Sequence, residues 1–487
     1  MKSETVSAHS RRRQSGTGRI ATRTVIDRLS SVLFAQAQAR AATPARLIVG
    51  VLALVCGLAA TLLRTGGSGA LRTVTFEDGT NFLSDAWNRP ALWAVFQPLN
   101  GYYAVGPRVA AWFAALFPIR LAAAVLTLEA ALCAALLALA VYVASGAHFR
   151  SPLLRLLVCA PILVMPVAQG PRSSVDNNVA TLQFLALYAL FWMLIWVPAS
   201  RTGRAVAVLV TIGTAFSTLL SVLLLPLALI RLVARRERHS VILGGAIAAG
   251  ATLNLIALVR GITTRPATSS PRYDPIWALV QYGRALPRMI FGNVWGYPHG
   301  LSHLGRLQLQ AALEAAPVSA AAPAWLYIAA LAIIAVVVSV ALRGLTRPAW
   351  LLAAVATACS LLLFAGCLMS YGSPQPRYLV APALLLITAM AALLRPRQSQ
   401  DLPVRQAFSG AVRTWTQAPA AALTVLVAII CLLNFHDLDL RAVAPSWGPG
   451  VATAQRYCNH HPAAPVYQVF ITPPEWFAFV PCSRVRT

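Results

Sequence analysis

An all-α polytopic membrane protein is the fold class this sequence predicts, on three observations. Hydrophobic residues make up 58% of the 487 and charged residues only 11%, whereas a soluble domain is about half apolar and about a quarter charged. Apolar runs of about 20 residues recur along the chain, each long enough to cross a hydrocarbon core of about 30 Å. Arginines gather in the short connections between alternate pairs of these runs, the asymmetry that orients membrane helices.

The charge balance fits this class. Forty basic residues stand against 14 acidic ones, a formal net charge of +26. In a soluble protein that excess would point to nucleic acid. Here nearly all the basic residues are Arg in loops and flanks, where they orient helices and meet anionic headgroups. No aromatic-interleaved basic domain occurs, so nucleic-acid binding is rejected and membrane lipid is the expected partner. No P-loop, HExxH, GxSxG or dinucleotide fingerprint is present, which leaves ATP-driven transport and hydrolase chemistry without support.

In chain order, residues 1–46 are polar and basic, with Arg11, Arg12 and Arg13 in a row, and read as a disordered cytoplasmic leader. A membrane domain follows over 47–435, with spans expected at 47–64, 120–145, 152–169, 179–198, 205–216, 218–234, 241–259, 324–342, 348–370, 378–394 and 417–435. The apolar run 205–234 is too long for one crossing and is interrupted by Thr214, Ser217, Thr218 and Ser221. Arg201 and Arg204 precede it and Arg235, Arg236 and Arg238 follow it. Both ends therefore favour the cytoplasm, and the run splits into two short helices that meet part-way, a break tolerated where protein buries it or a cavity lines it. The expectation is about eleven transmembrane helices, N-terminus inside and C-terminus outside. Long outer loops fall at 65–119 and 260–323, and an outer-face tail at 436–487.

Six cysteines (Cys56, Cys133, Cys159, Cys359, Cys367 and Cys431) lie in apolar segments, where the residue acts as a small hydrophobe. Cys458 and Cys482 lie in the tail, where an oxidising compartment would let them pair; the sequence leaves both states open.

The acids mark the outer side as the working face. The first outer loop opens with Thr75-Phe76-Glu77-Asp78, continues through Asn81, Asp85 and Trp87, and then carries Tyr102, Tyr103 and Arg108. The run from Val109 to Phe117 is too short to span and reads as an interfacial helix. The plain structural reading of Glu77 and Asp78 is a solvated helix cap. Their position directly after the first span favours chemistry instead.

This layout resembles the C-type (GT-C) membrane glycosyltransferases, on Thr75-Phe76-Glu77-Asp78 near the start of a long first outer loop and on Pro376-Arg377-Tyr378-Leu379 opening a late helix. The resemblance covers roughly 47–435. It implies a bacterial plasma-membrane enzyme that takes a sugar from a polyprenyl-phosphate donor on the outer face and gives it to a cell-envelope glycan or lipid acceptor. The family's acid maps best to Asp78, with Glu77 as its neighbour; the sequence does not decide which acts.

The chemistry suits these residue types. Phosphate is already a good leaving group, so the reaction needs a base for the acceptor hydroxyl and cations for the departing phosphate. Asp78 is the expected base. Arg377 is the preferred phosphate clamp, with Tyr378 beside it, against ordinary interfacial anchoring; Arg108 and Arg172 are weaker candidates, and Tyr102 is a candidate substrate contact. Asp176, in the second outer loop, would hold acceptor hydroxyls, share a divalent ion with Asp78, or serve as a turn and cap.

Glu129 lies inside the second span, where an acid is a functional hypothesis by default and pairing with Arg120 is the structural alternative. His299 and His303 stand at a metal-compatible spacing, which the surrounding Gly and Pro argue against; no metal or other cofactor is assigned. A transporter or flippase for a lipid-linked sugar, or a non-catalytic partner of an envelope enzyme, are the competing functions.

Overall fold

The computed structural model describes residues 31–36, 43–164, 167, 175–261, 272–292, 323–372, 375–397, 410–435, 441, 444–473 and 475–486. Helix α1 spans Pro44–Leu63. The 65–119 loop then carries a π-helix at Asp78–Leu83, α2 at Ser84–Asn88, α3 at Ala91–Val95, the short strands β1 (Pro98–Leu99) and β2 (Tyr102–Tyr103), and α4 at Val105–Ala114. The chain continues through α5 (Ala122–Ser145), α6 (Pro152–Cys159), α7 (Leu182–Ile195), α8 (Arg201–Ala215), α9 (Leu225–Ala234) and α10 (Arg238–Val259). After these come α11 (Pro275–Phe291), α12 (Ala324–Leu342), α13 (Trp350–Tyr371), α14 (Val380–Leu393) and α15 (Gly410–Leu433). The tail adds α16 (Trp447–His460), β3 (Val466–Phe470), β4 (Phe477–Pro481) and α17 (Cys482–Val485).

Each expected apolar segment contains helix. Six helices are long and apolar enough to cross a membrane by length and composition: Pro44–Leu63, Ile119–Ser145, Arg238–Val259, Ala324–Leu342, Trp350–Ser370 and Pro376–Leu393. The others are shorter, including Pro152–Ile162, Leu182–Ile195, Leu219–Ala234 and Gln417–Leu433. The architecture is a helical membrane protein.

Helices α7 and α14 form the centre of the bundle. All the residues of α14 are buried, and so is nearly all of α7 from Phe184 to Ile195. A helix apolar on every side must be covered on every side. Tyr188 of α7 shares a 2.8 Å hydrogen bond with Thr388 of α14 and donates to the Val158 carbonyl of α6 at 2.8 Å. Among tightly packed membrane helices, such polar links add to packing.

The run 205–234 breaks where the sequence predicts. Helix α8 ends at Ala215 and a 3-10 turn begins at Leu219. Protein groups take up the exposed backbone: Val105 N–H donates to the Phe216 carbonyl at 3.3 Å, Gly106 N–H donates to Ser217 Oγ at 2.8 Å, and Asn254 donates to the Ala215 carbonyl at 3.1 Å. At the other ends of α8 and α9, Arg204 and Arg235 line one pocket. The pair is thus a hairpin whose two ends share a face, while its tip meets the 65–119 loop.

Two expectations are corrected. Part of the leader is packed: Leu33 and Phe34 are 2% and 1% exposed, Gln36 bridges to Val197, and Arg235 donates to the Phe34 carbonyl at 3.2 Å. The two apolar side chains have a core to enter. The stretch 260–323 is not loop throughout, since α11 packs against α13 and α12 through Ala278, Tyr282, Ala285 and Met289.

The 65–119 loop and the tail fold as one lobe with a second core. It unites Phe82, Leu83 and Trp87 with Trp447, Val451, Val469, Ile471 and Val480. Trp87 stacks on Trp447 at 6.0 Å, and Cys458 bonds to Cys482. Helix α4 buries Arg108, Ala111 and Ala114 and leaves Val109, Trp112 and Phe113 exposed, the amphipathic form expected of an interfacial helix.

Candidate functional site

The acidic motif sits on a backbone that is unusual at three consecutive points. Phe76 adopts φ +41°, a region that costs an aromatic residue about 1–3 kcal/mol and persists only where its surroundings impose it. The tail imposes it: Thr75 bridges to Thr472, Phe76 N–H donates to the Thr472 carbonyl at 2.8 Å, and the Phe76 ring meets Trp476 edge-on at 5.6 Å. The π-helix opens immediately afterwards at Asp78; such single turns concentrate at functional sites. Gly79 then allows close approach, because a Cβ there would lie 2.5 Å from Ile471 Cδ1 and 2.9 Å from Val74 Cγ1.

Asp78 is 3% exposed. Its two carboxylate oxygens accept the backbone N–H groups of Val179, at 3.1 Å, and Ala180, at 3.0 Å. It therefore neither caps its own helix nor faces solvent; it binds the turn that leads into α7. Burial pushes its carboxyl from an ordinary 3.8 up to about 7, against the pull of the Ala180 N–H, the Arg441 charge and the Val179 N–H, with the charge of Glu77 adding to the rise. Glu77 is half-buried, and among the described residues nothing hydrogen-bonds its carboxylate.

The α7 turn carries the site further. Gln183 donates to the Ala180 carbonyl at 3.2 Å and to the Tyr102 hydroxyl at 3.4 Å. Phe184 packs on Tyr378 at 5.7 Å, Tyr102 lies within electrostatic reach of Tyr378, and the Arg377 guanidinium stands 5.5 Å from the Tyr378 ring centre. Tyr102 and Tyr378 thus gather at the start of α7, Asp78 binds the turn just before it, and Arg377 stands beside Tyr378 where α14 begins. Arg377 is half-buried and Tyr378 buried.

Two candidates take structural places instead. Asp176 pairs with Arg64 at 2.9 Å, closing the end of α1 onto the loop before α7. Asp176 is thus committed to a structural ion pair. Arg108 is 1% exposed and donates to Asp85 and to the Ala94 carbonyl, each at 2.8 Å. Burial lowers its pKa and Asp85 opposes the shift. It is a tie inside the lobe, closed to a phosphate. Arg120 donates to Gln455 at 2.8 Å, so the expected partner of Glu129 is engaged elsewhere. Glu129 Oε2 is buried with no hydrogen-bond partner among the described residues. Arg172, His299 and His303 lie outside the described residues. Among the described residues, no three His, Cys, Asp or Glu side chains cluster as metal ligands.

Arg441 escaped the sequence reading. At 2% exposure it donates to Thr73 Oγ1 at 3.0 Å, to the carbonyls of Asn177 at 2.6 Å, Ala70 at 3.0 Å and Thr73 at 2.9 Å, and to Thr127 Oγ1 at 3.0 Å. It locks the first loop, the second loop and α5 together beside Asp78. Its only sequence signal is a single Arg after Asp437 and Asp439 beyond the last apolar segment. Asn178 and Asn177 complete the lock. Asn178 donates to Thr75 Oγ1 at 3.0 Å, and Asn177, at φ +56°, donates to the Thr61 carbonyl at 2.8 Å.

No family model matches the chain, and no curated protein matches it.

Proposed function

We propose that this protein is an outer-face membrane glycosyltransferase that moves a sugar from a polyprenyl-phosphate carrier to a cell-envelope glycan or lipid acceptor, with Asp78 as general base. The observation that carries the reading is Asp78 itself: a buried carboxyl raised to about 7, at a strained turn bound to the segment that leads into α7. A base poised near the working pH gives the most effective proton transfer.

In the reaction, the acceptor hydroxyl gives its proton to Asp78 while its oxygen bonds to the anomeric carbon. The bond from that carbon to the phosphate oxygen breaks, and the polyprenyl phosphate departs against the Arg377 guanidinium. An ionised carboxylate offers about four lone-pair sites, so Asp78 can accept a substrate proton while it keeps the Val179 and Ala180 N–H groups. Since the tail covers the motif, substrate entry requires its 472–476 segment to yield, as closing segments do in many enzymes. About eleven crossings, with the N-terminus cytoplasmic and the C-terminus outside a bacterial plasma membrane, belong to the same proposal. The α8–α9 hairpin, with both ends on one face, supports that parity.

Two observations favour a second reading, a flippase for the lipid-linked sugar: the α8–α9 break, a hallmark of transporter sites, and the buried Glu129 oxygen.

The test is transfer by the purified protein in lipid, supplied with a set of polyprenyl-phosphate sugars, with Asp78→Asn alongside. The parent is expected to transfer from at least one donor and the variant to lose about 10²- to 10⁴-fold. Full activity in a folded variant would remove Asp78 as the base. Carrier-lipid movement across liposomes that survives the substitution would favour the flippase.

A further inference from the structure

A second site lies at the other ends of the same helices. A pocket of about 380 Å³ opens where α7 ends and where α8 and α10 begin, with Arg204, Arg235, Glu237, Arg238 and His239 in its wall. That volume is within the usual range for small-ligand sites, about 300–1,000 Å³. Helix α10 runs from Arg238 at the pocket to Asn254, which accepts the Tyr103 N–H of the first outer loop at 2.8 Å. At 1.5 Å per residue this places the pocket roughly 24 Å from that loop, on the opposite face from the acidic motif.

The pocket is strongly one-sided in charge. Three guanidinium groups face one carboxylate, leaving two positive charges with His239 neutral. Glu237 is occupied by Arg235, at 2.7 Å and 3.0 Å, and Arg235 also donates to the Phe34 carbonyl at 3.2 Å. Arg204 and Arg238 are exposed, and no side-chain partner for either occurs among the described residues. Beneath them lies Arg231, at 0% exposure. It donates to the carbonyls of Met193, Leu194 and Trp196, and its Nη2 has no hydrogen-bond partner among the described residues. Arg231 and Arg204 both act electrostatically on His239, so their charges add at the pocket. The wall is completed by Gln36, held by its bridge to Val197.

We infer that this pocket binds a phosphate-bearing anion, with Arg204 and Arg238 as its free forks. Guanidinium forks match phosphate oxygens two at a time. A positively charged hollow at the ends of apolar helices sits at headgroup depth, where anionic lipid is the most abundant phosphate. A lipid headgroup and free phosphate share this chemistry. The site is independent of the proposed transferase reaction.

The test uses the full-length protein in a neutral detergent, titrated separately with short-chain phosphatidylglycerol, short-chain phosphatidylcholine and inorganic phosphate. Bound molecules are counted by native mass spectrometry. Binding of phosphatidylglycerol or phosphate, with phosphatidylcholine weaker by tenfold or more, is the expected result; the tighter of the two anions identifies the source. Arg204→Gln combined with Arg238→Gln should weaken that anion roughly tenfold or more. Glu237→Gln, which frees Arg235, should tighten it several-fold, and this keeps the inference testable should the double variant misfold. Asp78→Asn should leave it unchanged. Binding of neither anion, equal binding of the neutral lipid, or Glu237→Gln binding no tighter than the parent would overturn the assignment.

Discussion

The bundle and the lobe formed by the 65–119 loop and the tail are held together in different ways. In the bundle, α14 and nearly all of α7 are buried, so the cohesion is spread over many small contacts. In the lobe, separate segments meet through a few polar anchors: Arg441 and the Phe76–Thr472 contact across the length of the chain, and the Cys458–Cys482 bond and the Arg64–Asp176 and Arg108–Asp85 pairs over shorter separations. Where stability is spread out, single changes are absorbed; where it is concentrated, one side chain decides. The proposed site lies where the two regimes join, on rigid helix starts below and beneath an anchored cover above.

The sharpest way to break this contrast is Arg441→Met. It would leave the carbonyls of Ala70, Thr73 and Asn177 without their donor. At about 1–3 kcal/mol for each unsatisfied group, the lobe should open locally. Hydrogen exchange should show lost protection over 70–85 and 441–486 with α7 and α14 unchanged; uniform loss across both regions would refute the division. Cys458→Ser should cost the lobe about 2–4 kcal/mol, read as faster proteolysis after residue 441 while the bundle fragment stays intact. Gly79→Ala should cost about 1–3 kcal/mol through its clash with Ile471 and Val74, and an equally stable variant would show the cover to be loosely seated.

The fourth prediction concerns pH. The Asp78 carboxyl is raised in the folded state, so its stabilising protonation is fully present below about 3.8 and is lost as pH rises through about 7. The parent lobe should therefore weaken over that interval, while Asp78→Asn shows no such slope. Under the transferase reading, parent activity should rise with pH through about 7, as the carboxylate forms. The smallest effect belongs to the bundle. Tyr188→Phe should cost about 1 kcal/mol or less in thermal unfolding, since Thr388 keeps its second bond, to the Leu384 carbonyl at 3.0 Å.

The same contrast explains what could be read from the chain. The eleven apolar segments, the break near residue 217 and the acidic pair are local patterns, each decided within about 30 residues. The break is legible because Thr214, Ser217 and Thr218 interrupt an apolar run between arginines. The lobe depends on pairings across the chain, and no local pattern announces them. Arg441 meets Thr73 at a separation of 368 residues, and Asp176 meets Arg64 from another loop. For that reason Asp176 and Arg108 could be read as ligands, when they are ion-paired supports. Leu33 and Phe34 were lost inside a basic stretch, because two apolar residues have no periodicity.

The seating of the tail on the acidic turn sets an order of biogenesis. Phe76, Glu77 and Asp78 leave the ribosome early, yet the groups that hold them in place, Thr472, Trp476 and Arg441, are made after the last apolar helix. Helices α1 to α15 are thus synthesised before the motif can reach its final geometry, which waits until Arg441, Thr472 and Trp476 have been delivered and folded.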